Sequence, residues 1–156
     1  MEMPPSERRY FEDYVPGSIF TFGSVSVEED ELVAFAQEFD PQPMLTDKAA
    51  AEAGPFGGLV ASAWQTVALT MRLYVEHYLS HCASLASPGV DEMRWLEPVR
   101  PGDRLSVRLT VLEAIPSRSK PDRGMVRAFS ETLNQDGEVV MTMRPMSLIG
   151  RRPAGA

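Results

Sequence analysis

Residues 57–82, "GGLVASAWQTVALTMRLYVEHYLSHC", decide the fold. The stretch is long, apolar on most sides and free of proline, so it reads as a helix. A membrane span needs about 20 predominantly apolar residues, so that alternative is weighed first. Gln65, Arg72, Glu76 and His77 interrupt the run, and no second candidate span exists. A helix that is apolar nearly all round belongs in a core. The expectation is a buried central helix.

The rest of the chain must wrap this helix. After residue 82 the apolar pattern changes to period two. "MRWLEPV" (93–99) reads as a strand and "RPGD" (100–103) as a turn. In "RLSVRLTVLEAI" (104–115), Leu105, Val107, Leu109 and Val111 alternate with Arg104, Ser106, Arg108 and Thr110. Such alternation marks a half-buried strand. "PSRSKPDRG" is a polar loop. "MVRAFSETL" and "EVVMTMRPMSLIG" are strands joined by "NQDG", a hairpin signal. The tail "RRPAGA" reads as frayed.

Ahead of the helix, "SIFTFGSVSV" (18–27) has strand composition. "SVEEDELVAFAQEF" (26–39) reads as a helix, with Ser26 and Glu29 as a capping box. Leu32, Phe35, Ala36 and Phe39 make its apolar stripe. Pro41 and Pro43 end it. Thr46 caps a short helix, "DKAAAEAG", closed by Gly54 and Pro55. Helices segregated from a run of antiparallel strands argue an α+β domain, one long helix wrapped by a curved sheet. The sheet's outer face is only partly polar, so a twofold dimer is expected.

The 156 residues suit one domain with one core, ordered from about residue 10 to 152. Net charge is −7, and the acid is concentrated at the front: residues 1–60 hold three basic and twelve acidic groups. That balance argues against nucleic acid, whose phosphates demand a basic face. "MEMPPSERRYFEDYVPG" has no apolar run of the signal-peptide kind, so a cytoplasmic location is expected. Cys82 is the single cysteine, which excludes an intrachain disulfide and a cysteine metal cluster. His77 and His81, four residues apart beside Glu76 and Cys82, raise a metal site, but no motif supplies a third ligand. An ordinary helix C-terminus, where histidine suits the dipole, is the preferred reading.

The segments "YFEDYVPG", "FAQEFDPQPMLTDKAAA", "FGGLVASAWQT", "WLEPVRPGDRLSVRLTV", "SRSKPDRG" and "NQDGEVV" stand in an order that resembles the MaoC-like dehydratases. These are hotdog-fold proteins related to the (R)-specific enoyl-CoA hydratases. The family signature is Asp, a spacer, Asn or Gln, Pro, a spacer, then His. Here Asp40, Pro41, Gln42, Pro43 and Met44 fill the first five places, and Leu45 stands in the sixth. On the central helix, relatives reading "ASGWHT" differ from "ASAWQT" here at Ala63 and Gln65.

The resemblance implies hydration of enoyl thioesters or dehydration of 3-hydroxyacyl thioesters. Asp40 is then the surviving acid–base residue. Backbone amides near Gly57, Gly58 and Ser62, at the positive tip of the central helix, would meet the thioester oxygen. Gln65 is a candidate to hydrogen-bond or orient water. No separate cofactor is implied, coenzyme A being part of the substrate. Leu45 cannot titrate, so weak turnover or none is expected. His77 and His81 lie too far along the helix to replace the missing group within one subunit. The basic loop with Arg118, Lys120 and Arg123 could meet coenzyme A phosphates or be a solvated hairpin, and Arg94 and Arg100 are weaker candidates. Trp64, Met71, Met141, Met143 and Met146 could line an acyl channel or simply pack the core. Two other functions stay open: an accessory thioester-binding subunit paired with another hotdog chain, and a thioesterase using one carboxylate and water.

Overall fold

The computed structural model describes residues 8–79 and 82–154. The alternation at 105–111 is realised there: Leu105, Val107, Leu109 and Val111 are buried on one face of strand β3 (Arg104–Pro116). The other strands are β1 (Ile19–Ser26), β2 (Ser84–Trp95), β4 (Arg123–Leu133) and β5 (Val139–Gly150). All pair antiparallel in one sheet, in the order β1-β3-β4-β5-β2. Helices α1 (Glu29–Phe39), α2 (Pro43–Thr46) and α3 (Lys48–Ala53) lead into the central helix α4 (Ala63–His77). One helix against a curved antiparallel sheet is the hotdog arrangement.

The core lies between α4 and the sheet. Leu69, Leu73 and Tyr74 of α4 meet Leu105, Val107, Leu109, Val126, Val140 and Ile149. Two polar pairs cross this core. Thr70 Oγ1 lies 2.9 Å from Thr132 Oγ1, and the Tyr74 hydroxyl donates to Ser130 Oγ. Residues four apart on the helix thus meet residues two apart on β4, which fixes the helix along the strand. Gly23, at φ +118°, forms the irregularity in β1, where a Cβ would lie 3.2 Å from both Leu73 and Ser106.

Several expectations are corrected. Ser26 ends β1, paired with Arg104, so its extended backbone cannot open a helix; Glu28 stands at the cap of α1 without a side-chain bond. Of the expected stripe, Leu32 and Ala36 are buried, but Phe39 is 65% exposed. Thr46 belongs to α2, and its hydroxyl donates to the Gln42 carbonyl instead of capping α3. The central helix begins at Ala63, six residues later than the apolar run, and ends at His77. Only one of its faces is buried: Trp64, Met71 and Val75 are exposed. β2 starts at Ser84, well before residue 93, and contains Pro88. The sheet tolerates a proline there because β2 is an edge strand with one unpaired side. Among the described residues, no helix is long and apolar enough to cross a membrane.

Candidate active site

Asp40 is the residue on which α1 ends, its N–H bonded to the Ala36 carbonyl at 2.8 Å. Pro41 stops the helix there, and Pro43 opens α2 at its first position, where a missing N–H costs nothing. Between the prolines, Gln42 turns back: its Nε2 donates to Asp40 Oδ1 at 2.7 Å, and its N–H to the Asp40 carbonyl. The second carboxylate oxygen, Oδ2, accepts from Ser62 Oγ at 2.7 Å. Ser62 is the N-cap of α4 and accepts in turn from the Trp64 N–H at 3.3 Å. The carboxylate is therefore tied to the helix end whose unpaired N–H groups carry partial positive charge.

These groups open onto a cavity of about 310 Å³. Met44, Leu45, Val60 and Val99 make much of its wall apolar; Asp40, Gln42, Ser62, Thr66 and Glu97 supply its polar side chains. Leu45 is 3% exposed and packs with Ala36 and Val60 as a small second core. Leu45 is thus a hydrophobic plug in the wall.

Gly57 has φ +67°, and Gly58 lies beside Arg100, whose Nη2 donates to the Phe56 carbonyl at 2.9 Å. Arg100 also donates its N–H to Asp103 Oδ2, so it ties the glycine segment to the turn before β3. Gln65 does not line the cavity. It points toward α1, its Nε2 donating to the Glu31 carbonyl at 3.3 Å while Oε1 is buried without a partner. At i+3 from Ser62 its spacing would allow the shared face, but the bond to Glu31 holds the side chain against α1.

The basic loop is placed apart from Asp40 within one chain. Arg123 and Gly124 pair with Gly150 and Ile149, whereas the cavity-lining Trp95 pairs with Met141 at the other end of β5. Eight residues of strand, at about 3.3 Å each, set the two ends on the order of 25 Å apart. Arg123 is engaged by Asp122 at 2.9 Å. Arg94 is exposed on β2. His77 sits exposed at the far end of α4, 3.8 Å from Glu76. His81 lies outside the described residues. Among those described, no three His, Cys, Asp or Glu residues are grouped to hold a metal. Burial raises the Cys82 thiol's pKa.

Trp64, Met71 and Met143 line a second, apolar cavity of about 430 Å³ between α4 and the sheet. Met141 is fully buried in the core, and Met146 lies outside this cavity. The two cavities meet at a pair of indoles. Trp95 lines the first and Trp64 the second, edge to face at 5.6 Å, with Trp95 Nε1 donating to the Ala63 carbonyl. Sequence reasoning missed Thr66, Glu97 and the Gln42 bond. Thr66 had a signal, since it stands four residues after Ser62 on the same helical face.

The sequence model of the MaoC like domain matches residues 13–131. The chain belongs to the MaoC-like family. A solved MaoC-like dehydratase from Rhodospirillum rubrum superposes with a TM-score of 0.87 at 45% identity, covering 93% of this chain and 99% of that one. Protein YdeM of Bacillus subtilis, whose function is uncharacterised, is 32% identical over 124 residues, 80% of this chain and 86% of its own. Mesaconyl-CoA hydratase of Cereibacter sphaeroides is 34% identical over 73 residues, 47% of this MaoC-like chain and 21% of that protein.

Proposed function

We propose that this chain binds an acyl thioester of coenzyme A at the tip of α4 and acts as a slow hydratase or dehydratase on enoyl and 3-hydroxyacyl thioesters. One observation carries the reading: the Asp40 carboxylate is bonded to the N-cap of α4 at the mouth of a mostly apolar cavity. In hydration, Asp40 takes a proton from water as the oxygen joins the β carbon. Negative charge then moves onto the thioester oxygen, where N–H groups of the first turn of α4 stabilise it; Gly57 and Gly58 lie outside the cavity lining. The enolate is quenched by a proton at the α carbon. Glu97 also lines the cavity, but Asp40 is the carboxyl bonded to the helix tip, so the same carboxyl returns the proton. Losing one acid–base partner typically costs about 10²–10⁴-fold, hence slow turnover. The mesaconyl-CoA hydratase relative supports a thioester substrate.

A second copy completes the molecule in this reading. The free edge of β2 and the exposed Trp64, Met71, Val75 and Val90 form one apolar side. Antiparallel pairing of β2 with its twofold copy covers it and carries the 117–122 loop of the second copy toward this cavity. Arg118 and Lys120 then serve coenzyme A phosphates across the dimer.

The test is a spectrophotometric assay with crotonyl-CoA and longer enoyl-CoAs. Loss of enoyl absorbance that disappears in Asp40→Asn is the expected result. The buried Leu45 favours a second reading, an accessory thioester-binding subunit. Silence in the wild type and in Leu45→His, with copurification of another hotdog chain, establishes that reading instead.

A further inference from the structure

Thr66 stands one turn beyond Ser62 on α4 and lines the same cavity. It is 2% exposed, and its carbonyl accepts from Thr70 Oγ1 at 2.8 Å. Its own hydroxyl makes no hydrogen bond among the described residues. The contrast with Thr70 is informative, because that hydroxyl is bonded to both the Thr66 carbonyl and Thr132. Buried polar groups are nearly always paired, as the Ser62, Thr70, Ser130 and Thr132 hydroxyls are here. Nor is the Thr66 oxygen sealed in: the fully enclosed side-chain atom without a partner is Gln65 Oε1, not Thr66 Oγ1. Thr66 thus brings a hydroxyl without a partner among the described residues to the cavity wall.

Spacing says what fits. Residues four apart on a helix are separated by about 6 Å along the axis. Ser62 Oγ lies 2.7 Å from Asp40 Oδ2. An oxygen at ~2.8 Å from a group on either side spans a gap of that order, so one oxygen atom suits the space between the Asp40–Ser62 pair and Thr66. We infer that Thr66 and Asp40 together hold the oxygen that is added to or lost from the β carbon: water in hydration, the 3-hydroxyl group in dehydration. This inference rests on the thioester reading of the site. Leu45 closes another side with alkyl groups, and Gln42 and Ser62 already spend a donor on Asp40, so Thr66 offers the oxygen a polar contact beside Asp40.

The step balances without a further reactant. One water proton passes to Asp40 as the oxygen–carbon bond forms and the double-bond electrons move toward the thioester. The other O–H stays on the oxygen and becomes the product hydroxyl. Thr66 exchanges no proton; it fixes the direction of the attacking lone pair.

Thr66→Val keeps the shape and removes the hydroxyl, and Thr66→Ser keeps the hydroxyl. Calorimetric titration compares 3-hydroxybutyryl-CoA with butyryl-CoA, which lacks the oxygen. The wild type is expected to prefer the hydroxylated ligand, because both Asp40 and Thr66 meet its oxygen. The preference falls ~3–10-fold in Thr66→Val, the value of one neutral hydrogen bond, and is unchanged in Thr66→Ser, with butyryl-CoA affinity unchanged in both. In turnover of crotonyl-CoA, Thr66→Val lowers kcat and leaves KM within about threefold, because the water is not part of the bound substrate. A preference that is undiminished in Thr66→Val overturns the inference while the thioester reading stands. Failure of the wild type to bind either thioester overturns both.

Discussion

The tie between Asp40 and the tip of α4 is open to a double-mutant cycle. Ser62→Ala removes two things at once: the bond to Asp40 Oδ2 and the cap on the Trp64 N–H. Loss of an N-cap costs about 0.5–2 kcal/mol, and a hydrogen bond to a charged group contributes about 1.5–3 kcal/mol. Ser62 is buried, so water does not replace either bond. The expected loss is roughly 2–5 kcal/mol. For a chain of this size that is a fall in Tm on the order of 5–15 °C. Asp40→Ala loses the same Ser62 bond and the bond from Gln42, which is exposed and contributes little. The double variant should therefore be less destabilised than the two single losses combined, by about 1.5–3 kcal/mol. Urea unfolding of the four proteins measures it. Losses that add to within ~0.5 kcal/mol would refute the coupling, and with it the placement of the carboxylate on the helix tip.

Three more outcomes are expected from the same structure. Gly23→Ala meets both a φ of +118° and contacts at 3.2 Å with Leu73 and Ser106; a loss of about 1–3 kcal/mol is expected in chemical denaturation. Thr132→Val breaks the bond to Thr70, which keeps its bond to the Thr66 carbonyl, so about 1 kcal/mol is lost; thermal unfolding that leaves Tm unchanged would contradict it. Burial pushes the Tyr14 phenol from 10.0 up to about 12. A raised folded-state pKa means the folded chain holds the proton longer than the unfolded chain. The associated stability is complete below pH 10.0 and lost as pH climbs to about 12. Urea midpoints taken across that window should fall, and less steeply in Tyr14→Phe.

Legibility tracks locality. The strand at 104–115 is readable because its partners are set by period-two burial, and burial is what the sequence encodes. The capping box at Ser26 fails because pairing with Arg104, distant in sequence, extends β1 over it. β2 reads nine residues short because "SLASPGVDE" lacks an apolar face, and an edge strand needs none on its open side. Around the candidate site, the Asp40 turn is legible from its prolines. Gln65 is not, since its side chain is drawn to the Glu31 carbonyl of α1, 34 residues away in the chain. The basic loop cannot be placed at all from spacing, because the length of β5 separates its end of the sheet from Asp40.

By itself, then, the sequence determined the α+β class, one long helix against antiparallel strands, a rigid turn after Asp40 and a leucine where a titrating side chain is expected. These are local matters of periodicity, ring-locked backbone and side-chain identity. Tertiary structure alone decided that Ser62 reaches back across 22 residues to Asp40, that Thr66 lines the cavity with no hydroxyl partner among the described residues, and that Trp64 and Trp95 stand between two cavities. Each depends on where a helix end meets a strand or turn far away in the chain, and no spacing along the sequence records that distance.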